Sequence, residues 1–371
     1  MRSLLILAAV LATALVTAPA ALACGGLFLP VEAQSGAAFE AQTVLIHRRA
    51  DRLDLHVRMT VTPGEANFSW VLPAPVGAQL SLGDDALFDK LDALTRPSIT
   101  VEYVGGNGGC SAGDSAGAGS EPGGVDVKEV GRIGEYDYAI IASGDAEAVA
   151  TWLTNNGYAL PQGAAAALQP YADAGLDFIG VRLTRPAAML DEPTRPTPLV
   201  LSVEDGGTDL PVYPLGLSAL STDGLLPVLI YVLGPARAAV TGVEATSVVE
   251  IADRIRAHRW MTYEDAVDAA QAETERPLYV TDAVVLDPGA KEPALAALGG
   301  AVLTRLSARL PQALVKDAVL AWHPDAQGEV DPIQYRSVGD PDEGCAAASG
   351  GHALPWLLVL LLGFTRLRRR R

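Results

Sequence analysis

Cys24, Cys110 and Cys345 are the side chains of this sequence best suited to covalent chemistry. A thiol in an exported protein is oxidised to a disulfide or acylated at a processing site, and it attacks or ligates only as the thiolate, so compartment decides its fate. Arg2 precedes an apolar run from Leu4 to Val16, and Ala21-Leu22-Ala23 supplies small residues three and one before a cut. That is the pattern of a Sec signal peptide over residues 1–23, and it sends the rest of the chain out of the cytoplasm. Cys24 and Cys110 are then expected to form a disulfide, since both neighbour glycines and the remaining cysteine belongs to the tail. A loop of about 86 residues closed in this way stabilises a fold by on the order of 4 kcal/mol in the chain-entropy account. Cys24 also stands where a lipobox cysteine would, with Ala21 in place of the usual leucine, so acylation is the competing fate.

The other reactive groups form no recognisable machinery. No Gly-x-Ser-x-Gly elbow occurs, and His47, His56, His258 and His323 show neither His-x-x-x-His nor His-Glu-x-x-His spacing. Cys110 with a distant histidine is a weaker reading as a thiol nucleophile than as half of a disulfide. Gly105-Gly106-Asn107-Gly108-Gly109 neither opens a helix nor carries a lysine, as a phosphate cradle needs, and reads as a flexible loop over 105–124. Glu204-Asp205-Gly206-Gly207 lacks the alternating oxygen ligands of a calcium loop and reads as a turn. No catalytic, cofactor-binding or metal-ligating residue is assigned.

Cys345 opens a tail with its own logic. Ala-Ala-Ala-Ser-Gly-Gly follows it, then an apolar run over 353–364, then Arg366, Arg368, Arg369, Arg370 and Arg371. Arginines directly after an apolar segment stay on the cytoplasmic side, so the membrane is the partner of this tail. The twelve residues of the run rise about 18 Å as a helix against a hydrocarbon core of about 30 Å. The tail therefore reads either as a marginal transmembrane anchor or as a processing signal.

Between the termini lies an acidic body. Residues 24–344 hold 21 of the 27 basic residues, the others being Arg2 and the five tail arginines, against all 44 acidic ones, a net charge of −23. Such a surface repels phosphate backbones and argues against nucleic acid as a partner. Roughly 300 residues suffice for one large or two ordinary domains.

The patterns within this body predict an α+β fold: mainly antiparallel sheets with helices packed on a face, strands outnumbering helices. Runs 39–47, 53–62 and 68–72 read as a three-stranded meander with one wet face, the second alternating Leu53, Leu55, Val57, Met59 and Val61 against Asp54, His56, Arg58 and Thr60. His56 is thus expected to be solvated, and His47 to close its strand. Helices are expected at 84–95, after Ser143 as cap, at 162–174, at 262–272 from a Thr262/Asp265 capping box, and at 292–298. Further strands are expected at 99–104, 125–132, 136–142, 176–184, 198–203, 212–220, 226–233, 278–285, 302–308 and 317–322. The body then spans 24–323, with a subdivision near 234–242 left open, and 324–344 serves as a flexible tether.

Cys24-Gly25-Gly26-Leu27-Phe28, Phe68-Ser69-Trp70-Val71-Leu72-Pro73, Asp84-Asp85-Ala86-Leu87-Phe88, Gly134-Glu135-Tyr136-Asp137, Trp152 to Tyr158 and Leu303-Thr304-Arg305-Leu306, in that order, resemble the bacterial secreted family called domain of unknown function 2330. The resemblance runs from Cys24 to Trp322 and implies export and a shared fold, without lending catalytic residues. The tail from Gly344 resembles the MYXO-CTERM type of sorting signal, which implies cleavage near Cys345, lipid attachment there, and the export and sorting machinery as partners. Together these predict an exported, envelope-anchored protein that binds or supports rather than catalyses. The alternative is an extracytoplasmic hydrolase with an unrecognised site, and no ligand or protein partner is indicated.

Overall fold

The computed structural model describes residues 26–28, 39–61, 69–97, 126–158, 160, 163–183, 195–204, 207–222, 224–258, 261–286 and 301–323. The signal segment, the strand expected at 99–104, the helix expected at 292–298, the tether and the tail lie outside the described residues, as do Cys24, Cys110, Cys345, Arg368, Arg369, Arg370 and Arg371.

In chain order the described elements are β1 (Gly26–Phe28), β2 (Phe39–Arg48), β3 (Arg52–Val61), β4 (Ser69–Ala74), β5 (Gln79–Leu82), α1 (Asp85–Thr95), β6 (Asp126–Ile133), β7 (Tyr136–Ala142), α2 (Ala146–Asn155), α3 (Ala164–Asp173), β8 (Asp177–Leu183), β9 (Leu199–Glu204) and β10 (Val212–Tyr213). A 3₁₀ turn (Leu215–Ser221) follows, then β11 (Leu225–Gly234), β12 (Ala238–Val240), β13 (Glu244–Ser247), α4 (Val248–Ala257), α5 (Tyr263–Ala272), β14 (Leu278–Val285), β15 (Val302–Pro311) and β16 (Ala318–Trp322). Strands outnumber helices, and all strand pairs except β11 with β2 and β13 with β14 are antiparallel, so the α+β expectation holds.

The period-2 patterns sort the side chains into layers. A large sheet of eight strands runs β13-β14-β15-β11-β2-β3-β9-β5, and a second of five runs β1-β4-β8-β7-β6. Val44, Ile46, Leu55, Val57, Ile230 and Leu306 point from the large sheet into the main core, where they meet Trp70, Leu72, Ile179 and Val181 of the second. The opposite face of the second sheet carries Val71, Ile141 and Phe178, which pack with Val149, Trp152 and Leu153 of α2 and Leu168 of α3. The opposite face of the large sheet takes Phe88 and Leu91 of α1 on Leu45, Tyr231 and Leu303, and takes α4 and α5 on Leu278 and Val280. Two facing sheets therefore each carry helices on the outside, so their central strands are covered on both faces while the edge strands β5 and β6 stay largely exposed.

A three-stranded sheet, β10-β16-β12, closes one side of the sandwich. The Ala238 N–H donates to Thr304 Oγ1 at 2.9 Å, tying it to β15. Asp317 accepts from the Gly216 N–H at 2.8 Å and from the Tyr171 hydroxyl at 2.9 Å, joining it to the 3₁₀ turn and α3. The Trp322 indole donates to Thr208 O at 2.7 Å and lies so close over Gly234 that no Cβ fits there. Residues 234–242 therefore carry β12, and the large sheet holds strands from both sides of that segment.

Three local expectations need correction. The run at 68–72 does not extend the first hairpin, because β4 pairs with β1 and β8 in the second sheet. The run at 212–220 is a strand only at Val212–Tyr213, since Pro214 lacks an amide donor and the Gly216 N–H goes to Asp317. Ser143 does not cap α2; Asp145 does, accepting from the Glu147 N–H at 2.9 Å, while Ser143 Oγ accepts from the Asp145 N–H at 3.0 Å.

The α4 and α5 pair is held at its starts by two capping boxes. Ser247 Oγ accepts from the Glu250 N–H at 3.2 Å and Glu250 Oε2 accepts from the Ser247 N–H at 2.8 Å; Thr262 and Asp265 repeat the exchange at 3.0 Å each way. Ser247→Ala or Thr262→Ala should each lower the unfolding free energy by about 1 kcal/mol, read from urea midpoints at an unchanged slope.

Candidate functional site

The polar face of the first hairpin, β2 and β3, was expected to be wet, and it is not. Register places Asp282, Arg305, Tyr231, Leu45 and His56 in one row across β14, β15, β11, β2 and β3. Asp282, Arg305, Tyr231 and Leu45 are buried and His56 is half-buried, because α1 and the α4/α5 pair cover this face. Arg58, also buried, stacks its guanidinium 4.9 Å from the Phe88 ring centroid and donates to Asp89 at 2.9 Å, fixing α1 across β3. Alternation alone cannot distinguish a solvated polar face from one roofed by helices arriving later in the chain.

Beneath the first turns of α5 lies a cavity of about 230 Å³, bounded by the outer faces of β2, β11 and β15. Thr43, Leu229, Tyr263, Val267, Arg305 and Ser307 are among its walls. Arg305 is 8% exposed; one of its terminal nitrogens donates to Ser307 Oγ at 3.1 Å, while its buried Nε has no hydrogen-bond partner among the described residues. The Tyr263 hydroxyl approaches Ser307 and Arg305 without closing a hydrogen bond, and is likewise buried without a partner. Behind Arg305, Tyr231 Oη and Asp282 Oδ2 are in the same state. Burial pushes the Asp282 carboxyl up to about 6, against the pull of Arg305 and Arg237. Arg309, on the cavity wall, is engaged by Asp268 at 2.6 and 3.0 Å.

A second polar group sits at the β2–β3 hairpin. Asp54 is 2% exposed, accepts from Ser202 Oγ at 2.7 Å and from a terminal nitrogen of Arg52 at 3.2 Å, and forms ion pairs with Arg52 Nε at 2.9 Å and Arg49 Nε at 3.1 Å. His47 lies opposite it in register, and burial with the nearby Arg49 pulls that imidazole down to about 4 despite the Asp54 carboxylate. Burial also lowers His56, which corrects the expectation that it is solvated. A serine nucleophile needs its proton taken by a histidine that a carboxylate orients. Here the Ser202 hydroxyl donates its hydrogen bond directly to Asp54, so the three residue types of a triad meet without its wiring.

Nothing in the sequence reading singled out Arg305, Tyr263, Tyr231 or Asp282 as site residues, while the cysteines and tail arginines it did single out lie outside the described residues. The available signal was Arg305, Ser307 and Arg309 standing at alternate positions of one strand, which gives all three to one face. Among the described residues no group of three histidine, cysteine, aspartate or glutamate side chains is placed to hold a metal ion, and no helix is long and apolar enough to cross a membrane.

Comparison with known proteins places the chain at the level of its family. No curated protein and no solved structure matches it. A family model described as "Uncharacterized protein conserved in bacteria" does match, over residues 18–320, which includes every sheet and helix described above except the last residues of β16. The chain therefore belongs to the bacterial family DUF2330.

Proposed function

We propose that this chain is an exported protein held at the cell envelope through its C-terminus, with a body that acts as a binding module. The observation that carries the binding role is the cavity under α5, whose wall holds Arg305 and Tyr263, each with a buried polar atom that has no hydrogen-bond partner among the described residues. Buried polar atoms left unpaired each cost on the order of 1–3 kcal/mol, so such an arrangement is retained where a ligand meets it. Export and anchoring rest on the signal peptide and on the order cysteine, small residues, apolar run and arginines. The net charge of −23 over 24–344 suits a solvated extracytoplasmic body.

The tail stalls in the membrane with Arg366 to Arg371 inside and presents Cys345 just outside, where cleavage and lipid attachment replace a short apolar segment as the anchor. Mass spectrometry of the membrane-extracted protein is expected to find a lipid-modified peptide ending at or near Cys345. A peptide ending at Arg371 would sink the processing step and leave a transmembrane anchor. Cys345→Ala should accumulate unprocessed precursor in the inner membrane, and an unchanged surface location of that variant would count equally against it.

A further inference from the structure

We propose that the cavity under α5 binds a small organic carboxylate, its anionic end between the Arg305 guanidinium and the Tyr263 hydroxyl and a compact apolar body against Pro227, Leu229 and Val267. The proposal rests on the reading of the body as a binding module and names the ligand class. Arginine keeps its charge at every relevant pH and offers donors only, so what the Arg305 guanidinium draws to this wall is an acceptor, best an anion. Arg305 forms no ion pair among the described residues, whereas its neighbour Arg309 is fully engaged by Asp268. The guanidinium on the wall that no carboxylate holds at ion-pair distance is therefore that of Arg305, with Asp282 behind it.

Shape and field then narrow the anion. A space of 230 Å³ equals roughly eight waters at about 30 Å³ each, enough for an acid of eight to ten non-hydrogen atoms and too little to enclose a nucleotide. Pro227, Val228, Leu229, Val267 and Ala308 give the wall an apolar side, which rewards a hydrophobic body that an inorganic ion lacks. Glu264 at the exposed rim and Asp282 behind Arg305 add negative charge, which a doubly charged phosphate meets at greater cost than a singly charged carboxylate. A planar carboxylate also matches the guanidinium fork.

Titration calorimetry of the purified protein with four probes tests this: benzoate, its neutral isostere benzamide, benzylammonium and inorganic phosphate. Benzoate should bind, with the other three at least about 10-fold weaker, because each lacks the charge or the apolar body. Arg305→Met should weaken benzoate by about 30-fold or more and Tyr263→Phe by about 5- to 10-fold, while Asp282→Asn, which removes a competing negative charge, should tighten it. Arg305→Met also removes the charge that faces Asp282 and the hydrogen bond to Ser307, so its melting curve is read beside its affinity, and Arg305→Lys, which keeps the charge without the fork, should recover part of the benzoate affinity. Benzamide or benzylammonium binding as tightly as benzoate would overturn the carboxylate while leaving the body a binding module. Phosphate matching benzoate would overturn the apolar half of the site. Benzoate binding that survives both Arg305→Met and Tyr263→Phe would place the site elsewhere, and silence from all four probes would overturn the proposal and the cavity's role as the module's binding site together.

Discussion

Trp70→Ala is expected to lower the unfolding free energy by about 4 kcal/mol, the largest loss from any single side chain in this fold. Trp70 is fully buried on β4 and points from the second sheet into the core shared with the large sheet, among Leu72, Ile179, Val181 and the inward residues of β2, β3 and β11. Truncation removes the largest buried side chain and leaves a cavity between two sheets, each held rigid by its own ladder, so little collapse can fill it. Trp70→Phe should cost less than half as much. It keeps most of the apolar volume and also removes the indole Nε1, a buried donor without a hydrogen-bond partner among the described residues. Urea unfolding at unchanged slope measures both. A loss below about 2 kcal/mol for the alanine variant would mean that the two sheets do not bury this residue against each other.

The ease of reading this fold from the sequence followed the range of the interactions that build each element. The first hairpin, α1 with its Asp84 cap, β14 and the Thr262/Asp265 capping box of α5 were legible because apolar period and cap chemistry lie within ten residues. By the same rule α4 should have been visible: Val248, Ile251 and Ile255 stand at i, i+3 and i+7 behind Ser247 and Glu250, and the sequence reading passed over them. The division into two sheets was not legible, since β4 looks like the continuation of a meander until β8, more than a hundred residues later, takes it as an edge partner. The parallel pairing of β11 with β2 is also invisible to local pattern.

The candidate site failed to show for a related reason. Arg305 was in plain view as part of Leu303-Thr304-Arg305-Leu306, but a polar residue on a strand reads as solvent-facing by default. Its burial comes from α5, which is placed by packing on Leu278 and Val280, and not from anything in β15 itself. The residues that could be read as chemistry from sequence alone were the cysteines and the terminal arginines, which the sequence reading takes as an address. An address is recognised by machinery that reads linear order, whereas a cavity is assembled from four elements whose order in space is set by the sheet.

Acidification from pH 7 to about pH 5 is expected to cost the protein stability through the β2–β3 hairpin. His47 has an ordinary value of 6.5 and is held at about 4, first by burial and then by Arg49, with Asp54 opposing. Between those values the unfolded imidazole takes a proton that the folded one refuses, so the unfolded state binds more protons and stability rises with pH. The His47 contribution is therefore complete above pH 6.5 and is lost as pH falls toward 4. A shift of this size would correspond to about 3 kcal/mol for a fully enclosed ring; His47 is only half-buried, so about 2 kcal/mol is expected. His56 acts in the same direction, again through burial. Asp282 acts in the opposite one: its carboxyl, raised from 3.8 to about 6 by burial, keeps its proton in the folded state where the unfolded chain has lost it, so its contribution is present at low pH and lost as pH rises through 6. The two effects overlap below pH 6 and separate in variants. Urea midpoints measured from pH 7.5 to 4.5 should fall less steeply in His47→Gln than in the parent and more steeply in Asp282→Asn. A His47→Gln profile parallel to the parent's would show that the ring stays hydrated in the folded protein, and that the hairpin arginines, Asp54 and Ser202 are an open surface cluster rather than the roofed polar face described here.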